Sequence, residues 1–376
     1  MTAVGLIFSN IHDTSIPELT RMRTIGSVPF AGRYRLIDFA LSSMVNSGIS
    51  KIGIVTHNNY QSLLDHLGNG KDWDLARRSG GIKILPPYIS AFDNAAANKF
   101  YTSRLEALMG TLNFLSRCNE DYIVMSDCDV ICNIDLDDVI TKHAETGADI
   151  TFVTKVGDLT GVGETEQLTL IKADENCDVT DVISDKYNDE YQLYINIMVM
   201  KRQYLLNVIE NAISHGHHSF LHDIIRHNVG KAKYMVYNYD GFYAHIGSMA
   251  SYFECSMKLL ETDARDRLFG VKNRPVLTKV RNSAPTRYCE GAKVTNSVVA
   301  EGCVIEGVVE NSIIFRGVKV GKGAVVKNSI LFQDTYVCDG AQLNCVIADK
   351  NVIIKDGRML SGHESMPFYI GKNMSV

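Results

Sequence analysis

Short apolar runs alternate with longer segments of helical periodicity over the first 250 residues of the chain. Residues 51–56, 121–126 and 149–154 have the length of buried strands. Between such runs, apolar residues in segments such as 38–46 and 103–116 recur three and four positions apart, which is typical of helices. This alternation predicts an α/β domain whose mostly parallel sheet is covered by helices and binds ligands at the carboxyl ends of its strands.

A different period begins at about residue 285. An Asn-Ser-Val-Val segment recurs, with changes, at 296–299, 311–314, 328–331 and 344–347. A second apolar position follows each asparagine by eight or nine residues, at Val304, Val320, Val337 and Val352. A repeat of 15 to 17 residues punctuated by glycines is typical of a hexapeptide-type parallel β-helix, whose coils bury aliphatic side chains against one another. We therefore expect an α/β domain at 1–250, a helix and linker at 251–284, and a β-helix with a tail at 285–376.

Composition excludes several classes of protein. A formal net charge of −5 gives no basic bias towards nucleic acid. No apolar run reaches the length of about 18 residues that a membrane span needs, so we expect no membrane contact. The first residues carry no basic and apolar leader, and the nine cysteines lack the spacing of a zinc site. These features predict a cytoplasmic protein with reduced thiols.

The loop after the first predicted strand contains no glycine. Residues 3–8 have the pattern of a buried strand, and residues 9–17 follow it. In nucleotide-binding α/β domains, glycines in this loop let backbone N–H groups approach the phosphates. Here Ile11 and His12 occupy the loop, and Asp13 adds a negative charge that would repel a triphosphate. The scaffold is therefore that of a nucleotide enzyme, but the loop is not.

One motif carries a family resemblance. The segment Val-Pro-Phe-Ala-Gly-Arg-Tyr-Arg-Leu-Ile-Asp-Phe at 28–39, continued at 41–42 and 46–49, resembles that of bacterial glucose-1-phosphate adenylyltransferase, also called ADP-glucose pyrophosphorylase. The resemblance covers nearly the whole chain. It implies a Rossmann-like nucleotidyltransferase domain followed by a left-handed parallel β-helix. The implied reaction joins ATP and glucose 1-phosphate into ADP-glucose and pyrophosphate, for glycogen synthesis.

The resemblance also implies four catalytic features, and each is altered in this chain. They are a glycine-rich loop with an arginine, a lysine that contacts the transferring phosphate, a Gly-Thr-Ala-Asp segment that closes around substrate, and two aspartates that hold Mg²⁺. The aligned positions are Asn10, Ile11, His12, Asp13, Ser15, Ile25, Arg104, Asp129 and His245. Asp129 is the one retained aspartate, which we interpret as a remnant, and an imidazole is a poor ligand for Mg²⁺. Four losses at one site predict little or no adenylyl transfer.

The glucose-contacting motif of the family is altered as well. Ser184, Asp185 and Lys186 stand in that region, and an alignment shifted by one residue leaves Lys186 able to serve.

A branch of the resembled family lacks the catalytic loop and acts by assembly. Membership of this branch implies a regulatory subunit that pairs with a catalytic paralogue in a heterotetramer, or forms a homo-oligomer alone. It implies no required cofactor, with Mg²⁺ needed only for residual activity. It also implies a phosphorylated effector, for which the candidates are Arg21, Arg23, Arg33 and Arg35. Guanidinium groups suit bidentate phosphate contacts, whereas the alternative for these arginines is an ion pair or a subunit contact.

Two other functions remain open from the sequence. The chain is an active sugar-phosphate nucleotidyltransferase if Asp127 and Asp129 serve as a metal pair. It is a β-helix acyltransferase if the coils supply a histidine base, but no histidine lies between His245 and His363, which argues against this alternative. The histidine-rich stretch at 215–222 either binds a metal or precedes a helix that starts at Ser219, and its loose spacing favours the helix start.

Overall fold

The α/β domain is built on one sheet of nine strands. The computed structural model describes residues 1–87, 101 and 103–376. The strands of the first domain are β1 (Ala3–Phe8), β2 (Pro29–Phe30), β3 (Tyr34–Arg35), β4 (Lys51–Val55), β5 (Gly81–Leu85), β6 (Tyr122–Asp127), β7 (Val130–Cys132), β8 (Ile150–Lys155), β9 (Leu168–Ala173), β10 (Val179–Asp185), β11 (Gln192–Lys201), β12 (Tyr234–Asn238) and β13 (Tyr243–His245). The main sheet has the order β10-β9-β11-β6-β1-β4-β5, and β8 pairs with β11 and β12.

Seven of the nine strands in this sheet run in one direction. Strands β1, β4, β5 and β6 pair in parallel. Strand β11 is antiparallel to β6, β8 and β9, and β10 is antiparallel to β9, so β10 and β11 run the other way. The prediction of a mostly parallel sheet is therefore confirmed, and the parallel strands end at one edge where a site can form.

Helices cover the sheet, and the predicted helix at 103–116 is divided in two. The helices are α1 (Pro17–Thr20), α2 (Leu36–Asn46), α3 (Gln61–Leu67), α4 (Arg104–Met109), α5 (Leu112–Ser116), α6 (Leu136–Thr146), α7 (Arg202–His215), α8 (Met249–Lys258) and α9 (Thr262–Phe269). Short 3-10 turns lie at Asp13–Ser15, Ile25–Ser27 and Lys71–Trp73, and a π-helix at Phe220–Arg226. Gly110 separates α4 from α5, since glycine disfavours a helix interior. No helix in the described ranges is long and apolar enough to cross a membrane.

The second domain is a left-handed parallel β-helix, as predicted. Its strands are β14 (Arg287–Tyr288), β15 (Lys293–Thr295), β16 (Val298–Val299), β17 (Val304–Ile305), β18 (Val308–Glu310), β19 (Ile313–Ile314), β20 (Lys319–Val320), β21 (Val325–Lys327), β22 (Ile330–Leu331), β23 (Tyr336–Val337), β24 (Gln342–Asn344), β25 (Val346–Ala348), β26 (Ile353–Ile354), β27 (Met359–Ser361) and β28 (Phe368–Ile370). Every third strand stacks in parallel, which gives three sheets of five strands that begin with β14, β15 and β16.

The register of the coils corrects two details of the predicted repeat. Val298 pairs with Ile313, Ile313 with Ile330, and Ile330 with Ile347. The fourth repeat is therefore 345–348, with Cys345 rather than Asn344 at the turn. The aligned residues on the neighbouring face are Ile305, Val320, Val337 and Ile354, so Val304 and Val352 do not belong to that row. Insertions within turns displace a repeat that is read from sequence alone.

Turn geometry explains the repeated asparagine. Asn296, Asn311, Asn328 and Cys345 have φ of 41°, 46°, 44° and 51°. This left-handed region is costly for most residues, and asparagine tolerates it best after glycine. The asparagines also bond between coils, since Asn296 Nδ2 donates to Asn311 Oδ1 at 2.8 Å.

The β-helix shares a core with the α/β domain through the sheet of β16, β19, β22, β25 and β28. Ile313, Ile330 and Ile347 belong to the same buried cluster as Phe30 and Tyr252. The Tyr252 ring packs edge-on against Phe332, and its hydroxyl donates to the Pro29 carbonyl at 2.6 Å. The two domains are therefore held together by apolar packing as well as by polar contacts.

Candidate functional site

The altered catalytic positions converge at the carboxyl ends of β1 and β6. These neighbouring strands are parallel, and Phe8 pairs with Asp127 at their ends. The loop from Ser9 to Asp13 leaves β1, while Asp127 and Asp129 flank the exit of β6. His245 ends β13, which pairs with β7 immediately after Asp129. The structure thus brings together His12, Asp129 and His245, which the sequence separates by more than 200 residues.

The loop after β1 is closed by its own contacts. The Ser15 N–H donates to the His12 carbonyl at 3.1 Å, and the Ile25 N–H donates to Asp13 Oδ1 at 2.7 Å. Burial raises the pKa of Asp13 to about 7, although the bond from Ile25 and the nearby His12 oppose the shift. Asn10 is buried and accepts a hydrogen bond of 3.0 Å from the hydroxyl of Tyr101. The N–H groups of Asp13 and Ser15 are bonded within the loop, to the carbonyls of Asn10 and His12, and are not free to bind a phosphate.

Two basic side chains contact the carboxylate of Asp127. Its Oδ2 contacts Arg104 Nη2 and lies 2.7 Å from His12 Nε2. Burial disfavours the imidazolium of His12, but Asp129 and Asp127 outweigh burial and raise its pKa to about 9. Burial likewise opposes the Arg104 charge, but Asp127 holds the pKa of Arg104 above its ordinary value. Positive side chains therefore fill the space beside this carboxylate.

Asp129 and His245 form the second half of the site. His245 Nδ1 lies 3.6 Å from Asp129 Oδ2, and His245 Nε2 lies 2.9 Å from Glu166 Oε1. Burial raises the pKa of Glu166, but the hydrogen bond and charge of His245 outweigh it, so the pKa lies below its ordinary value. Asn196 Nδ2 donates to Asp129 Oδ2 at 2.9 Å, and Asn196 has the left-handed φ of 57° at an irregularity in β11.

Two more of the predicted positions place no side chain in this cluster. Ile25 is fully buried in the apolar core of the α/β domain. Lys186 is exposed beyond the end of β10. A nearby surface cavity is lined by Asp158, Glu164 and Asp189 along with Tyr187, so its charged side chains disfavour a sugar phosphate. The part of the predicted substrate-closing segment at residues 100 and 102 lies outside the described residues.

The arginine candidates divide between an ion pair and a basic pocket. Arg23 is buried, and its Nη2 donates to both carboxylate oxygens of Asp349 at 2.8 and 2.7 Å. Arg35 donates to the carbonyl and hydroxyl of Ser62 at 2.5 and 2.9 Å. Exposed Arg21 does not line the basic pocket. The effector role of these four arginines stays a prediction.

The basic pocket lies between the two domains. Its basic lining comprises Arg33, Arg35, His66, Arg281, Arg316 and Lys350. Burial, with Asp38 opposing and the other arginines adding to it, lowers the pKa of Arg35 to about 10. Burial also lowers the pKa of Lys350 to about 7, and Arg35 and Arg23 contribute to that shift. So many positive groups around one concavity favour a bound anion.

The histidine-rich stretch does not assemble a metal site in the described part of the chain. Asp223 Oδ2 accepts the backbone N–H groups of His218 and Ser219 at 2.9 Å, and Ser219 Oγ accepts the His222 N–H at 3.1 Å. These are the contacts of a helix start at Ser219, the interpretation that the spacing favoured.

Comparison with known proteins agrees with both domains. Residues 14–262 match the Nucleotidyl transferase family, and residues 283–365 match the family described as GlmU-like, C-terminal hexapeptide. The chain is 35% identical over 373 residues to the glycogen biosynthesis protein GlgD of Bacillus subtilis, covering 99% of this chain and 96% of that protein. The chain belongs to the glucose-1-phosphate adenylyltransferase family.

Two relatives from one organism represent two kinds of protein in this family. The chain is 35% identical to the glycogen biosynthesis protein GlgD of Geobacillus stearothermophilus, over 86% of this chain and 82% of that protein. It is 32% identical to the glucose-1-phosphate adenylyltransferase of the same organism, also over 86% of this chain and 82% of that protein. A role in glycogen biosynthesis is therefore a property of the family to which this chain belongs.

Mg²⁺, which the family resemblance implies, does not fit these residues. Mg²⁺ demands near-octahedral oxygen ligands and binds through one or two carboxylates plus phosphates. Here His245 stands at the position of one of the two implied carboxylates and offers an imidazole instead. Arg104 and His12 contact Asp127. The donor set is therefore short of anionic oxygen.

Proposed function

We propose that the chain is a regulatory, catalytically impaired subunit of glucose-1-phosphate adenylyltransferase that acts in glycogen biosynthesis by assembling with a catalytic paralogue. The observation that carries this proposal is that the acidic and basic side chains of the site pair with one another. Arg104 and His12 occupy Asp127, while His245 pairs with Glu166, so the groups that would face ATP and Mg²⁺ bind one another instead. Phosphoryl-transfer enzymes depend on positioning and charge stabilisation, and this arrangement offers neither to a nucleotide.

The similarity to two proteins of one organism supports a paired role. Geobacillus stearothermophilus has both a protein called GlgD and a glucose-1-phosphate adenylyltransferase, and this chain is similar to each. A chain that keeps the fold of the enzyme but not its site is suited to assemble with the enzyme rather than to replace it. We propose a heterotetramer with the catalytic subunit, or a homo-oligomer when the chain is alone, in the cytoplasm.

The last coil of the β-helix supports assembly. Five of its large apolar side chains are between 43% and 80% exposed: Ile353, Met359, Met366, Phe368 and Met374. We name these five residues the end face. Strands β27 and β28 are the outermost strands of their sheets. Solenoids need a polar outer face on terminal repeats that remain in solvent, so an apolar end face with open strand edges suits a homologous subunit.

The basic pocket supports the effector part of the proposal. It lies where the α/β domain meets the β-helix, so an anion bound there contacts both domains. A phosphorylated metabolite has the charge that Arg33, Arg281 and Arg316 would pair with. Its binding would stabilise the interdomain arrangement, and we infer that it changes the response of the assembled enzyme through this contact.

The test combines the chain with its catalytic paralogue. We expect little ADP-glucose synthesis from the chain alone, and co-purification with the paralogue together with higher activity or altered activation by phosphorylated metabolites. Met359→Glu in the end face is expected to weaken assembly, whereas Met22→Glu, an exposed methionine of the α/β domain, serves as the matched control. Turnover of ATP and glucose 1-phosphate at ordinary enzyme rates by the chain alone would contradict the proposal. Pyrophosphate release with another sugar phosphate would favour an active nucleotidyltransferase.

A further inference from the structure

We propose that His12, Asp127 and Asp129 form a site for a divalent transition ion such as Zn²⁺, in place of the Mg²⁺ that the residues do not fit. One ligand atom from each of these three side chains lies within 4.8 Å of the other two. Imidazole nitrogen with carboxylate oxygen is a donor set that suits Zn²⁺ and related ions, whereas Mg²⁺ requires oxygen. Asp129 belongs to the pair of positions that the family resemblance assigns to Mg²⁺, whereas His12 and Asp127 do not, so two of the three ligands differ from that pair.

The spacing of the donor atoms fits a small ion once Arg104 moves off Asp127 Oδ2. Around a tetrahedral ion with bonds of about 2.0–2.1 Å, ligand atoms lie about 3.3 Å apart. His12 Nε2 lies 3.5 Å from Asp129 Oδ2 and 2.7 Å from Asp127 Oδ2. An ion inserted between His12 and Asp127 would therefore separate these two atoms by only about 0.6 Å.

Two buried oxygens point to a missing partner. Asp127 Oδ1 and Asp129 Oδ1 are buried with no hydrogen-bond partner, although each residue is at least 99% buried. Buried carboxylate oxygens are costly when unpaired, because desolvation is not repaid. A cation that each carboxylate binds through both oxygens would satisfy these Oδ1 atoms.

The surrounding groups would orient the ligands. His245 lies between Glu166 and Asp129, with Nε2 2.9 Å from Glu166 Oε1 and Nδ1 3.6 Å from Asp129 Oδ2, so it supports the Asp129 carboxylate from outside the ligand set. Asn196 donates to Asp129, and Arg104 contacts Asp127. When both imidazoles are neutral, the two aspartates, Glu166 and Arg104 together carry two net negative charges. One divalent ion balances this charge.

The experiment measures binding of defined metals to the full-length chain after dialysis against a chelator. Calorimetry with Zn²⁺ and visible absorption with Co²⁺ are recorded at about pH 8, where the ion must displace the proton of His12 to bind. We expect one equivalent of Zn²⁺ or Co²⁺ to bind, with Mg²⁺ unable to displace it at a thousandfold excess. His12→Gln is expected to weaken Zn²⁺ binding at least tenfold and to abolish the Co²⁺ absorption band.

A surface variant separates this site from adventitious binding. His218→Ala combined with His222→Ala removes two exposed histidines of the histidine-rich stretch and should leave Zn²⁺ affinity unchanged. Failure of Zn²⁺ and Co²⁺ to bind, or loss of binding in the surface variant but not in His12→Gln, would overturn the inference. Thermal unfolding without metal confirms that each variant folds. The outcome is independent of the proposed function, because metal binding is measured without the paralogue or substrates.

Discussion

Single side chains decide what the cleft can bind, and three of them depart together from the resembled catalytic site. Ile25, Arg104 and His245 come from three separate parts of the chain, yet each replaces a group that the resembled catalytic site needs. The sequence predicts these losses one by one. It does not predict that Arg104 and His12 meet on Asp127 or that Glu166 pairs with His245, because those contacts depend on loop conformations that no local pattern encodes.

Restoring the loop is therefore expected not to restore catalysis. Replacing Ile11 and His12 by glycine removes one obstruction, but Arg104 still contacts Asp127 and His245 still stands where an acidic ligand is implied. Pyrophosphate release from ATP and glucose 1-phosphate should stay at the level of the unaltered chain. Full activity from this graft alone would show that the other changes are harmless.

Lys350 makes anion binding in the basic pocket depend on pH. Its pKa is lowered to about 7 by burial and by Arg35 and Arg23, and a bound anion favours its charged form. Above that pKa, binding must take up a proton, so affinity for sulfate is expected to fall as pH rises from about 7 to about 9, by at most about tenfold per pH unit. Sulfate keeps its charge in this range, so calorimetry reports the protein groups.

Two variants assign this pH dependence. Lys350→Met should flatten the slope, whereas Lys355→Met, at an exposed position of the same coil region, should preserve it. A slope that persists in Lys350→Met would assign the proton to another group of the pocket.

At the scale of elements, the sequence is informative wherever one period dominates. The runs at 51–56, 121–126 and 149–154 become β4, β6 and β8 within one or two residues. The β-helix also follows from its period, but the predicted register is wrong at the fourth coil, where Cys345 takes the turn position predicted for Asn344. A count of residues cannot find an insertion inside a turn, whereas hydrogen-bonded pairing fixes it.

The turn asparagines carry a prediction at this scale. Asn328→Val should destabilise the chain by about 1–2 kcal/mol, because a β-branched residue is costly at positive φ. Its hydrogen bond to Asn344 would also be lost. Asn328→Gly keeps the backbone conformation and should cost less. Urea unfolding measures both, and equal destabilisation by the two variants would assign the role of Asn328 to its side-chain bonds alone.

In the whole molecule, one buried ion pair joins the two domains. Arg23 and Asp349 are 326 residues apart and bond through two contacts, while the Tyr369 hydroxyl donates to Asp349 Oδ2 at 3.0 Å. No sequence pattern relates these residues. The resemblance marks Arg23 as an anion site, whereas the structure supplies it with a carboxylate from the same chain.

Removing one partner of this pair leaves a buried charge. Arg23→Met is expected to destabilise the chain by about 3–5 kcal/mol, because Asp349 then lacks its counter-charge. The double variant Arg23→Met with Asp349→Leu should recover much of that loss. Denaturant unfolding of the single and double variants gives the coupling between the sites, and strictly additive losses would contradict a direct pairing.

The stacking of the β-helix also sets distances outside the molecule. Neighbouring strands lie about 4.8 Å apart, so every coil carries the end face one such step further along the β-helix axis from the first coil. A whole coil added or deleted would shift a docked subunit by that step and leave the apolar side chains in the same rows. The number of coils thus sets the position of a docked subunit. Family members with different numbers of coils would hold their neighbours at discrete rather than continuous separations.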